Sequence, residues 1–139
     1  LLTWGPGEEE MVRSIAESMK QKSWIAPATT IAESIGLYKK LSLFVGSDSG
    51  PFHICWALDI PTVSVWGPTD PNRNGAYSKN HKAVFHKLNC SFCWKRQCPL
   101  GTIECMDKVT VQNMFDATKK IASEHVKMVI SPQHSTHKT

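Results

Sequence analysis

Apolar segments of two kinds alternate along this chain, and the alternation restricts its fold more than any other feature. Leu1 to Trp4 is a short apolar run ending at the breaker Gly5-Pro6-Gly7, after which Glu8 to Gln21 places Met11, Val12, Ile15 and Met19 at helical spacing. Trp24 to Ala26, before Pro27, reads as a second short strand. Thr30-x-x-Glu33 is a capping box that opens a helix carrying Ile31, Ile35 and Tyr38. Leu41 to Val45 is a buried strand, broken by Gly46-Ser47-Asp48-Ser49-Gly50. Pro51 then stands at the first position of a helix that ends near Leu58, a place where its missing N–H costs nothing. Thr62 to Trp66 is a fourth strand and Ala83 to His86 a fifth. Val111, Met114, Phe115, Thr118, Ile121 and Ala122 mark a last helix capped by Thr110.

Strands and helices in this order build an α/β, Rossmann-like domain: a parallel sheet with right-handed crossovers and helices on both faces. Such sheets bind ligands at the carboxyl ends of their strands, so the chemistry is sought in Gly5 to Glu9, Pro27 to Thr30, Gly46 to His53 and from Gly67 onward. A length of 139 residues fits one domain, and 41% hydrophobic with 20% charged residues exclude disorder, collagen-like repeats and a disulfide scaffold. No apolar run approaches a bilayer span and no signal-peptide pattern opens the chain. The net charge of +4 suits an anionic ligand and is too small and scattered for a nucleic-acid surface. Leu1-Leu2-Thr3-Trp4 begins inside a core strand without an initiator Met, which suggests a piece of a longer protein. The expected domain is 1–126. Residues 127–139, polar and without periodicity from Ser131 on, read as a disordered tail, and His134 and His137 as solvated tail residues rather than metal ligands.

The strongest candidate for chemistry is Gly46-Ser47-Asp48-Ser49-Gly50-Pro51-x-His53, where a buried strand turns into a helix. Free N–H groups and the partial positive charge of a helix N-terminus form an anion site; Gly50 admits an oxygen close to the backbone, and Ser49 adds a hydroxyl. His53 points back toward the same mouth, within reach of a phosphate oxygen. A plain turn with Asp48 as the helix cap is the alternative. Gly67-Pro68-Thr69-Asp70-Pro71 follows the next strand and lies beside the first loop, either as a second jaw around one diphosphate or as an ordinary turn. Glu8, Glu9 and Glu10 stabilise a helix dipole, and an acidic residue at such a strand end also accepts from the hydroxyls of a ribose.

Four of the five cysteines form Cys90-x2-Cys93-x4-Cys98-x6-Cys105, in a basic loop with Trp94, Lys95, Arg96 and Lys108. Four thiolates this close can close a tetrahedral structural zinc site, although the second pair is spaced too widely for a zinc ribbon. Free thiols and disulfides stay open beside zinc, and a cytoplasmic setting favours thiols or metal. The stretch from Leu88 to Met106 has few core-forming positions and needs something to pin it. Cys55 reads as a small core residue.

Gly46-Ser47-Asp48-Ser49-Gly50-Pro51-Phe52-His53, followed by Pro61-Thr62-Val63-Ser64-Val65-Trp66-Gly67-Pro68-Thr69-Asp70-Pro71, resembles glycosyltransferase family 9, the ADP-heptose:lipopolysaccharide heptosyltransferases. Trp4-Gly5-Pro6-Gly7-Glu8, Cys93-Trp94-Lys95-Arg96-Gln97-Cys98-Pro99-Leu100-Gly101 and Cys105-Met106 are similar to members of that family too, so the resemblance spans roughly residues 1 to 124. It implies a GT-B fold of two Rossmann-like lobes, of which this chain is most of the C-terminal, donor-binding lobe. The N-terminal lobe, with the acidic catalytic base, lies outside it. By resemblance Asp48, Ser49, Gly50 and His53 meet the diphosphate and sugar of an ADP-sugar, Glu8 or Glu9 the ribose, and Thr29 the edge of the base. Ser49 stands where the family usually has Thr and keeps the hydroxyl.

The implied reaction is inverting transfer to a lipopolysaccharide core or other glycan acceptor, with no metal cofactor. His53 and the helix N-terminus stabilise charge on the departing ADP. The implied location is cytoplasmic, with the full-length protein peripheral at the inner membrane. Two other classes share features with this sequence: a phospho-accepting receiver-like domain, with Asp48 ending its third strand and Lys87 after its fifth, and a zinc-stabilised interaction module built on the cysteine loop.

Overall fold

The computed structural model describes residues 1–75 and 78–129, with the side chains of 126–129 left aside. The expected tail from 130 onward, with His134 and His137, lies outside the described residues. The chain divides into two compact units, Leu1–Leu37 and Tyr38–Thr139.

The first unit holds helices α1 (Glu9–Ser18) and α2 (Ile31–Tyr38), the latter ending one residue beyond it. The two strands expected here shrink to one parallel bridge, Leu2 with Ile25, in which Leu2 N–H donates to Trp24 O and Ala26 N–H to Leu2 O. Trp4 Nε1 donates to Ala26 O at 2.8 Å and holds the two segments together. Leu1 and Trp24 stay more than half exposed and the pairing stops after one bridge, because an apolar run forms a ladder only where a partner lies in register over several residues. The capping box is present as expected: Thr30 N–H donates to Glu33 Oε2 (2.8 Å) and Glu33 N–H to Thr30 Oγ1 (3.3 Å).

The second unit is a parallel sheet of β1 (Phe44–Ser47), β2 (Thr62–Trp66) and β3 (His81–Phe85) in the order β1-β2-β3. Helices α3 (Gly50–Ala57), α4 (Pro71–Asn74), α5 (Glu104–Asp107) and α6 (Val111–Val129) accompany it. Relative to the sequence reading, β1 starts three residues later and β3 two earlier, because the hydrogen-bonded register with β2 sets the bounds. Helix α3 begins at Gly50, one residue before the expected Pro51. Helix α6 reaches Val129, past the expected domain end at 126.

Alternation along the strands assigns the helices to opposite faces. Val63 packs with Ala117 and Ile121 of α6, joined by Leu43, Val84 and Met114. Thr62, Ser64 and Trp66 point the other way, where Phe52 of α3 meets Trp66 edge-on at 5.5 Å and His81 at 4.9 Å. Phe52, Val63 and Trp66 are fully buried, and each aromatic pair adds about 0.5–1.5 kcal/mol beyond its buried area. Trp66 Nε1 donates to Ser64 Oγ at 2.6 Å, so the buried indole keeps its hydrogen bond. Cys55, fully buried in α3, is the core residue expected, and burial pushes its thiol up to about 11. Helix α6 is capped at Thr110, whose N–H donates to Asn113 Oδ1 while its Oγ1 accepts from Asn113 N–H.

Candidate functional site

The parallel register Gly46↔Ser64 and Ser47↔Val65 brings the loops after β1 and β2 out side by side at the carboxyl edge of the sheet. Asp48 N–H still donates to Val65 O (3.2 Å) as the chain leaves β1. Ser49 is extended (φ −155°, ψ 169°) at the N-cap of α3, yet its side chain makes no capping hydrogen bond; its hydroxyl donates to Ser47 O at 3.1 Å. The first-turn amides of α3 are thus left uncapped by Ser49, with the helix dipole behind them. A Cβ on Gly50 would meet no heavy atom within 4 Å, so the space beside this first helical residue is open.

Asp48 does not cap α3. Its Oδ1 lies 3.1 Å from His53 Nε2, and its Oδ2 accepts from Thr69 Oγ1 at 2.6 Å. The carboxylate is largely covered, with 18% of its side-chain surface exposed, whereas His53 is 43% exposed. An ionised carboxylate only accepts, so His53 Nε2 carries the proton in this contact and Nδ1 is the ring's remaining nitrogen. Thr69 joins the cluster through this contact, and its one signal in the sequence is its place in the turn after the neighbouring strand. The next residue, Asp70, caps the single turn of α4 by accepting from Asn72 N–H at 2.9 Å.

Asp48, Ser49, Gly50, His53 and Thr69 therefore share one edge of the second unit. Glu8, Glu9 and Thr29 belong to the first unit, where each has a partner. Glu8 Oε2 accepts from Gly5 N–H at 2.8 Å, Glu9 pairs with Arg13 at 2.5 Å, and Thr29 Oγ1 lies 2.8 Å from Ser34 Oγ.

Cys90, Cys93, Cys98 and Cys105 line a cavity of about 430 Å³ with Gly67 and Pro68. The loop that carries them is held by protein contacts: Phe92 against Phe85 at 5.8 Å, Trp94 N–H on Pro68 O at 2.9 Å, and Arg73 over the Trp94 ring at 4.9 Å. Met106 and Cys105 of α5 close on Gly67, where a Cβ would lie 2.5 Å from Met106 Sδ and 3.5 Å from Cys105 Sγ. No disulfide joins any two of the five cysteines in this structure. Backbone N–H groups of Ile103 and Leu100, with those of Thr102 and Gly101, pull the Cys98 thiol below its usual range. Burial pushes Cys105 up, helped by the neighbouring charges of Cys98, Cys90 and Cys93. Among the described residues no three His, Cys, Asp or Glu side chains are placed to hold a metal ion, so the zinc expected from the cysteine spacing stands as a proposal.

Residues 1–104 match the family model of glycosyltransferase family 9 (heptosyltransferase). The chain is 28% identical over 124 residues to lipooligosaccharide heptosyltransferase 2 of Campylobacter jejuni, covering 86% of this chain and 39% of that relative. Among solved structures, a family 9 glycosyltransferase from Veillonella parvula aligns with TM-score 0.72 at 21% identity, over 88% of this chain and 36% of the other. The Escherichia coli heptosyltransferase WaaC, solved with ADP-2-deoxy-2-fluoro heptose, aligns with TM-score 0.55 at 26% identity, over 88% of this chain and 31% of the other. The chain spans about two fifths, or less, of the length of these proteins.

Proposed function

The chain belongs to glycosyltransferase family 9, and from that premise we propose that it is the donor-binding, C-terminal lobe of a GT-B heptosyltransferase. Its likeness to family structures supports the Rossmann-like half of that architecture. The observation that carries the donor role is the open N-terminus of α3 beside the Asp48–His53–Thr69 cluster, at the strand edge where such sheets take their ligands. The similarity to a transferase solved with an ADP-heptose analogue supports an ADP-sugar as the donor. Family membership leaves the receiver-like alternative without support.

In the proposed reaction an acceptor hydroxyl of a lipopolysaccharide-type glycan attacks the anomeric carbon of the donor from the face opposite the nucleotide. The new C–O bond forms as the bond to the β-phosphate oxygen breaks, and its electron pair leaves with ADP. The hydroxyl proton goes to a base in the N-terminal lobe, outside this chain. The amides at the start of α3 and the imidazole of His53 stabilise the charge gathering on the β-phosphate. No metal cofactor takes part in the proposed reaction, and zinc, where bound by the cysteine loop, is structural.

Glu8 or Glu9 serves the ribose and Thr29 the base edge in this reading, each exchanging its present partner for the nucleotide. The donor site is proposed to work at the cytoplasmic side of the inner membrane. Among the described residues no helix is long and apolar enough to cross a membrane. Calorimetric titration of this chain with ADP tests the proposal. Binding is expected in the micromolar-to-millimolar range, about −4 to −8 kcal/mol, without sugar transfer. No heat with ADP at millimolar concentration would refute it.

A further inference from the structure

Carboxylate rotation about the bond to its carbon has no sharp preference, so an aspartate on a loop is aimed by whatever its two oxygens bond. In Asp48 one oxygen meets His53 Nε2 and the other takes the Thr69 hydroxyl from the loop after the next strand. A carboxylate repels a diphosphate, so Asp48 acts on the donor most readily through the imidazole it holds. A phosphate oxygen, like the carboxylate, only accepts. With Nε2 committed to Asp48, His53 donates to the leaving phosphate from Nδ1, and it does so when the ring carries both protons. The Asp48 carboxylate then balances the charge of that ring.

We propose that Thr69 is a positioning residue for this transfer: its hydroxyl fixes the Asp48 carboxylate, which holds His53 by Nε2 and leaves Nδ1–H for the β-phosphate. The inference rests on the leaving-group role of His53 given above. Loss of the Thr69 hydroxyl frees Oδ2, lets the carboxylate turn, and releases the imidazole from its single orientation.

The test uses the intact transferase with ADP-heptose as donor. Thr69→Val is expected to lower kcat about 10-fold, which is about 1.4 kcal/mol of barrier, with the donor KM within about threefold of the parent. Thr69→Ser is expected to restore it. The ring of His53, followed by long-range 1H–15N correlation at a pH where its own nitrogen shifts report the neutral form, is expected to show the Nε2–H tautomer in the parent and Thr69→Ser. In Thr69→Val it is expected to show averaged tautomers. A Thr69→Val protein with kcat within about twofold of the parent, or with lowered kcat and unchanged His53 signals, would overturn the proposal; if that variant does not fold, Thr69→Ala carries the same test. Unchanged kcat in His53→Ala would instead remove the leaving-group reading, while the His53 signals of the Thr69 variants would still report whether the positioning contact exists.

Discussion

Thr69 Oγ1 lies 2.6 Å from Asp48 Oδ2, joining residues 21 positions apart across the loops that follow β1 and β2. With Asp48 N–H on Val65 O, this contact fastens the start of the first loop to the second strand and its loop by main chain and side chain. The edge that faces the proposed donor is thereby held as one piece, and Asp48 serves as a clasp between loops where a helix cap was the simpler expectation.

Gly50 is open in front and has no positive φ, so neither packing nor backbone conformation requires glycine there. Gly50→Ala is expected to leave stability unchanged or raise it by about 0.4–1 kcal/mol. The added methyl occupies the space proposed for a phosphate oxygen, and ADP affinity is expected to fall at least about 10-fold. Thermal melting and calorimetry on the same variant separate the two effects. Unaltered affinity would remove the phosphate from this position.

His53→Ala in the intact enzyme is expected to lower kcat about 10²-fold, the scale of a lost oxyanion donor. Asp48→Ala removes the acceptor of both Thr69 and His53. It is expected to cost about 1–3 kcal/mol of stability as well as kcat, from two hydrogen bonds of ordinary strength. Denaturant unfolding alongside kinetics checks this, and an Asp48→Ala protein as stable as the parent would contradict the clasp.

Cysteine reactivity is expected to be ordered. With chelator present, Cys98, favoured as a thiolate by the amides around it, alkylates first; Cys55, buried and pushed up to about 11, alkylates last. Peptide mapping after timed iodoacetamide treatment gives the order. The proposed structural zinc is tested on the same sample: one equivalent is expected to protect Cys90, Cys93, Cys98 and Cys105 together. Full reactivity of those four thiols with zinc added would exclude the site.

Stability is expected to fall on the acid side because of His81. Its Nδ1 contacts Thr62 Oγ1 at 2.5 Å, and its buried Nε2 has no hydrogen-bond partner among the described residues. Burial holds its pKa below the usual imidazole range, against a smaller opposing effect of its contact with Thr62. The unfolded chain then binds the proton more readily than the folded one, so this contribution is complete above about pH 6.5 and is lost as pH drops through the lower folded value. Urea midpoints measured from pH 8 to 5 should decline more steeply in the parent than in His81→Gln.

Much of the local structure is legible in the sequence because its causes lie within a few residues. The capping groups at Thr30 and Thr110 find their partners three positions on, and Gly46 to Gly50 after an apolar run marks a strand turning into a helix. The same patterns overstate Leu1–Trp4 and Trp24–Ala26, where Leu1 and Trp24 stay more than half exposed and one bridge replaces a ladder, since hydrophobicity by itself secures neither a cover nor a pairing neighbour. The parts of the site that sequence alone does not reach are the long-range ones: the Asp48–Thr69 clasp and the meeting of four cysteines with Gly67 and Pro68 around one cavity. The chain by itself determined the type of its elements and the residues able to do chemistry, through periodicity and local hydrogen bonding. Tertiary structure decided which of those residues meet, because the parallel register of β1 on β2 sets which loop ends emerge side by side and so which side chains lie within hydrogen-bonding reach.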